Sequence, residues 1–132
     1  MDEGKRSLCE QLVGMDSKRA ADWLMSKYPI DSESYGEAIL LIPHRSWKRS
    51  DQKRLAQYYF MKLPFSGPRG YEVFASFMSI KLLLECVRAR LPMAESDKNL
   101  LLYYLAPVLR RSAKNDGDRR LIDDFIEGLE YK

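Results

Sequence analysis

Residues 71–91 form the longest apolar periodicity in the chain, and any fold must accommodate them. Placed on a helix at about 100° per residue, Val73, Phe77, Ile80, Leu84, Val87 and Leu91 fall on one side. Tyr71, Ala75, Met78, Leu82, Cys86 and Ala89 fall roughly opposite. Two narrow polar strips separate these seams, one of Glu72, Ser76 and Ser79 and one of Lys81, Glu85 and Arg88. A surface helix carries a single apolar stripe, whereas a helix apolar on most sides is buried. The pattern therefore predicts a central helix with neighbours on two sides, roughly 30 Å long at about 1.5 Å per residue. Its interspersed charges exclude a membrane span.

The flanking chain reads as helices punctuated by caps and prolines. Ser7 is placed to cap a short helix bearing Leu8, Leu12, Val13 and Met15, and Asp16 or Ser17 to open a second over 18–28, closed by Pro29. Ser34 and Glu37 have capping-box spacing before a helix over 35–42. The run 38–42 also fits a buried strand, but no second strand exists to pair with it. Ser50 reads as the cap of a helix over 51–62, with Asp51 at its positive end. Two prolines and two glycines then break the chain within 64–70. Ser96 reads as the cap of a helix with Asp97 in its first turn that runs to about Ala113, with Pro107 expected to kink or split it. An amphipathic helix over 118–129 presents Leu121, Ile122, Phe125, Ile126 and Leu129 on one face. The expectation is an all-α single domain spanning 1–132, six or seven helices bundled around the buried central one.

Cys86 on a seam and Cys9 beside Leu8 and Leu12 read as small buried apolar residues. Two cysteines do not make a disulfide framework. No apolar run follows the first residues, as a secretory signal would require, so a reducing, cytoplasmic setting is expected. With one histidine, His44, no multi-histidine metal site can form, and no cofactor motif is present. The glycines before residue 71 lack phosphate-loop spacing and read as a turn between helices. Asp123, Asp124 and Glu127, with Arg119 and Arg120 at four-residue spacing, read as an ion-paired solvated face more readily than as catalytic carboxylates.

Charge is the remaining signal. The net charge is only +3, yet residues 44–69 carry seven Lys/Arg against one acid. Arg45, Lys48 and Arg49 flank Trp47, Lys53 and Arg54 follow, and Arg69 stands before the central helix. Arg and Trp dominate protein-interface hot spots, and the same types contact phosphates and stack on bases. The alternative without function is a solvated basic face with Trp47 anchored in the core. The small net charge and the acid-rich first third count against nucleic acid, where accumulated positive charge governs affinity. The expected function is thus a non-enzymatic protein-binding module whose partner has an acidic surface or cleft. Nucleic-acid binding by the same patch is the alternative, and an enzyme with an unrecognised carboxylate site a second. In size and class alone, the chain is similar to small helical immunity proteins that neutralise toxins and to phage-encoded inhibitors.

Overall fold

The computed structural model describes residues 3–130; Met1 and Asp2, where the leader reading begins, and residues 131–132 lie outside the described part. The described residues form eight α-helices and no strand. These are α1 (Glu3–Val13), α2 (Ser17–Lys27), α3 (Tyr35–Leu41), α4 (Arg49–Tyr59), α5 (Arg69–Ala75), α6 (Ile80–Arg88), α7 (Glu95–Ser112) and α8 (Asp116–Glu130). Single 3₁₀ turns, Ile42–His44 and Phe60–Lys62, follow α3 and α4. The all-α expectation holds, and the run 38–42 is helical rather than a strand. By their contacts the helices sort into two units, one ending at Tyr59 and the other beginning at Phe60.

In the unit ending at Tyr59, α2 lies against α4, and α1 against α3 and its 3₁₀ turn. Ala20, Ala21 and Ala56 are fully buried beside Leu24 and Leu55, so small side chains let these backbones approach closely. Asp16 caps α2 as its sequence suggests, its carboxylate accepting from the Arg19 amide at 2.8 Å. Ser34 occupies the N-cap of α3, but its hydroxyl pairs with Ser32 Oγ at 2.8 Å and makes no cap bond, so the capping box does not form.

In the unit beginning at Phe60, α5 packs on α6 and α7, and α8 on α6 and α7. The expected continuous helix over 71–91 is broken into α5 and α6. Ser79 takes an extended backbone (φ −65°, ψ 151°), and its hydroxyl accepts from the Leu82 amide at 3.1 Å, capping α6. Ser76 Oγ donates to the Val73 carbonyl at 2.6 Å at the end of α5. Serine hydroxyls compete in this way for backbone groups that a continuous helix would use. Both seams are thus split between the helices, Tyr71 and Val73 being buried on α5 and Ile80, Leu82, Leu84, Cys86 and Val87 on α6, while Ala89 is exposed. Phe74 is fully buried, whereas Phe77 is only half-buried. The helix apolar on most sides is the short α6, where Ile80, Leu82, Leu83, Leu84, Cys86 and Val87 are all buried and Lys81, Glu85 and Arg88 are exposed.

Two further local features have physical causes. A Cβ on Gly70 would lie 2.6 Å from the Phe65 ring, so glycine is required where that ring closes over the start of α5. Pro107 does not split α7, which runs unbroken through it. Both Pro107 and Tyr103, four residues earlier, are exposed, so the hydrogen bond that proline deletes lies where water can replace it.

Candidate functional site

The seven residues singled out by charge and type divide into three fates. Arg45 is committed to the fold. The last turn of α1 carries no basic residue, and Arg45 supplies one from a distance. Its Nη1 donates to the Leu12 and Met15 carbonyls at 2.9 and 2.6 Å, and its Nε to the Ser46 carbonyl at 2.8 Å. A cation at the carbonyl end of a helix also complements the helix dipole. The same guanidinium lies 4.8 Å from the centre of the Trp47 ring. Trp47 is 7% exposed, and its Nε1 donates to the Ile42 carbonyl at 2.9 Å, closing the 3₁₀ turn onto the loop behind it. The indole thus sits in the core.

Arg54 is likewise occupied. Asp51, the one acid in the basic window, is 3% exposed. Its Oδ2 accepts from the Ser17 hydroxyl at 2.6 Å, and its Oδ1 from Arg54 Nη1 at 2.9 Å. Arg54 Nη2 donates in turn to Asp22 on α2, and Ser17 Oγ accepts from the Lys48 amide at 3.0 Å. Burial opposes ionisation of Asp51. The hydrogen bonds from Ser17 and Arg54, with the charges of Arg54 and Lys48, outweigh burial and hold its carboxyl below the ordinary value. Ser50 therefore lies inside α4 rather than capping it, and Asp51 is a buried tie between α2 and α4 rather than a solvated first-turn acid.

Lys48, Arg49 and Lys53 remain exposed at the first turns of α4. Arg49 and Lys53, four residues apart, share a face, while Lys48 precedes the helix. The structure thus brings these three together on the scaffold made by Arg45, Trp47, Asp51 and Arg54. Arg69 belongs to the other unit, exposed at the first position of α5. His44, at the end of its 3₁₀ turn, is exposed, as expected for a loop histidine.

The carboxylates of α8 pair differently from the four-residue spacing. Arg119 bonds Asp116 at 2.7 Å, while Asp123 bonds Arg110 of α7 at 3.1 Å. Packing α7 on α8 brings Arg110 within reach and overrides the local pairing. Among the described residues, no group of His, Cys, Asp or Glu could hold a metal ion, and no helix is long and apolar enough to cross a membrane. Cys9 and Cys86 are thiols, half-buried and buried.

Sequence reasoning missed a cleft of about 580 Å³ lined by Arg88, Met93, Lys98, Asp124, Phe125 and Gly128 among others. These residues come from the end of α6, the following loop, the start of α7 and the last turns of α8, so no single helical face announces them. The available signal was Gly128, a glycine inside an otherwise regular amphipathic helix. Comparison with protein-family models, with curated proteins and with solved structures gives no match to this chain.

Proposed function

We propose that this chain is a non-enzymatic protein-binding module that docks an acidic surface through Lys48, Arg49 and Lys53, in the manner of an immunity- or inhibitor-type protein. The observation that carries this reading is the placement of three exposed cations at the start of α4. That end of a helix bears positive partial charge, where a cation is unfavourable by about 0.3–1 kcal/mol. Arg49 and Lys53 also repel each other at four-residue spacing, by a few tenths of a kcal/mol. The one nearby acid, Asp51, is buried and spent on Ser17 and Arg54. Apart from the Lys48 charge, which favours ionised Asp51, fold stability gains little from this cluster, whereas an acidic partner would gain association rate and orientation from it. Arg45, Trp47 and Arg54 support the surface from beneath rather than anchoring the partner.

The second reading, phosphate contact with nucleic acid, draws on the same cations. The test compares wild type with the triple variant Lys48→Glu, Arg49→Glu, Lys53→Glu. The variant should stay folded, with a melting temperature close to that of wild type, and should lose a stoichiometric acidic protein that wild type retains. Titration of both with single-stranded RNA and duplex DNA at 50 and 200 mM salt supplies the other arm. Wild-type affinity falling steeply with salt on unrelated sequences would replace protein docking with nucleic-acid binding.

A further inference from the structure

From the outward face of α7 we infer that the chain pairs with a second copy of itself, α7 against α7 in antiparallel order, as a weak symmetric dimer. Ser96, Leu100, Tyr103, Pro107, Arg110 and Lys114 recur at alternating spacings of four and three, and all are exposed. That is the spacing of a coiled-coil seam. The opposite face carries Leu101, Leu105, Val108 and Leu109, which are buried as α7 packs on α5 and α8. The seam is therefore a second stripe and not the edge of the first. At its centre Leu100 is 37% and Tyr103 72% exposed, and the exposed Pro107 follows one turn on. The Tyr103 ring stands edge-on to Tyr104 at 4.9 Å, which holds it in place before any partner arrives.

Charge sets the occupant and its direction. α7 has acids in its first turn, Glu95 and Asp97, and bases in its last, Arg110 and Arg111. Part of this charge is already used, because Glu95 pairs with Lys98 at 2.9 Å and Arg110 with Asp123 at 3.1 Å. Asp97 and Lys114 have no ion-pair partner among the described residues, and Arg111 reaches Glu72 only at 3.7 Å between exposed groups. In an antiparallel pair, Asp97 of each copy faces Arg111 and Lys114 of the other, twice over by symmetry. The same register sets Tyr103 against Pro107, and Leu100 against the aliphatic stem of Arg110. A parallel pair would bring like charges together instead. A uniformly acidic or basic helix would satisfy one end of this seam, whereas a second copy satisfies both. The apolar centre is short, so the contact belongs among small, transient interfaces.

The experiment is sedimentation equilibrium of the full chain over a wide concentration range. The mass should rise from 15.4 kDa at micromolar concentration toward twice that near millimolar. Dilution of ¹⁵N-labelled protein should shift the amides of Leu100, Tyr103, Tyr104 and Arg111 and leave those of Lys48, Arg49 and Lys53 in place. Tyr103→Glu should fold, since most of its ring lies in solvent, and should stay monomeric throughout. Asp97→Lys and Arg111→Asp should each weaken pairing about threefold to tenfold, as expected for two exposed charge pairs, and the double variant should restore it. A mass of 15.4 kDa at every concentration would overturn the pairing. So would self-association retained by Tyr103→Glu, dilution shifts confined to other helices, or a double variant no tighter than either single. Should a charge variant fail to fold, the wild-type dilution shifts and Tyr103→Glu decide.

Discussion

The two units hold their helices by different means. Up to Tyr59, long-range polar ties recur: Ser17 to Asp51, Arg54 to Asp22, Arg45 to the Leu12 and Met15 carbonyls, Tyr59 Oη to the Leu24 and Tyr28 carbonyls, and Tyr58 Oη to the Ile30 amide. From Phe60 onward, apolar contact dominates. Phe60 meets Phe65 and Phe74 edge to face at 6.2 and 4.9 Å, Phe65 meets Tyr71 at 5.0 Å, and Phe74 meets Phe77 at 5.7 Å. Leucines of α6 and α7 fill the remainder. The first unit buries the small side chains of Ala20, Ala21, Ala38 and Ala56, and directional bonds to helix ends help to fix its geometry. The second has large side chains, whose non-directional burial stabilises in proportion to area. Truncation should therefore hurt most in the second unit, and pH change most in the first.

The largest expected effect is on Phe74. Its ring is fully buried between Phe60 and Phe77, and Phe74→Ala should cost about 3–5 kcal/mol in urea titration. Phe77→Ala, at the half-exposed position beside the helix break, should cost about 1 kcal/mol. The reverse order would restore a continuous helix over 71–91 with Phe77 on its buried seam.

Next in size is the Asp51 tie. Asp51→Asn weakens the charge-assisted bonds to Ser17 and Arg54 and should cost roughly 1.5–3 kcal/mol at pH 7. The carboxyl is held below its ordinary value in the folded state. Its contribution is therefore present above the unfolded-chain value of about 4 and is lost as pH falls through the lower folded value. The gap between wild type and variant should close over that acidic window. A gap unchanged at pH 2 would mean that the carboxylate charge contributes nothing and that the first unit rests on packing alone.

How much of this was readable in advance follows from the same contrast. Helix class and most segment positions were legible, because caps such as Asp16, breakers such as Pro29 and the stripe Ile122, Phe125, Ile126 and Leu129 act locally. The division at residues 76–79 was not, since Ser76 and Ser79 sit in registers that a continuous helix also allows; only their hydroxyl bonds decide. At the basic window, the residue types were visible but their partners were not. Arg45 finds carbonyls 33 and 30 residues away, and Asp51 finds Ser17 34 residues away. Composition cannot separate a cation that ties a helix end from one that faces a partner. Hence Lys48, Arg49 and Lys53 remain a surface while Arg45, Trp47 and Arg54 become its support.

The smallest effect sharpens the contrast within one residue type. Tyr59 and Tyr71 are both fully buried, yet their hydroxyls work in opposite senses. Tyr59 Oη donates, at 3.3 Å to the Leu24 carbonyl and 3.0 Å to that of Tyr28, whereas Tyr71 Oη accepts from the Phe65 amide at 2.9 Å. Burial, reinforced by Tyr58 and Tyr28, pushes the Tyr59 hydroxyl far up. Tyr71 is pushed up to about 12, burial being partly offset by the Phe65 N–H, which favours the phenolate. Tyr59→Phe removes a donor and should cost about 1 kcal/mol at pH 8. For a group raised in the folded state, the contribution is complete below the unfolded-chain value of about 10. It is lost as pH climbs toward the folded value. Ionised Tyr59 would set an anion against two carbonyl oxygens, while ionised Tyr71 would keep its amide. Urea titrations at pH 8, 10 and 11 should therefore show wild-type stability falling above pH 10, with the Tyr59→Phe deficit shrinking toward zero. Tyr71→Phe should flatten the decline to pH 11 to a similar extent, because both hydroxyls stay protonated in the folded state over that range; the two separate only as pH passes about 12, where Tyr71 ionises first. Should Tyr71→Phe flatten the decline more than Tyr59→Phe does, the polar sensitivity would lie in the second unit, and the contrast between directional and apolar packing would fail.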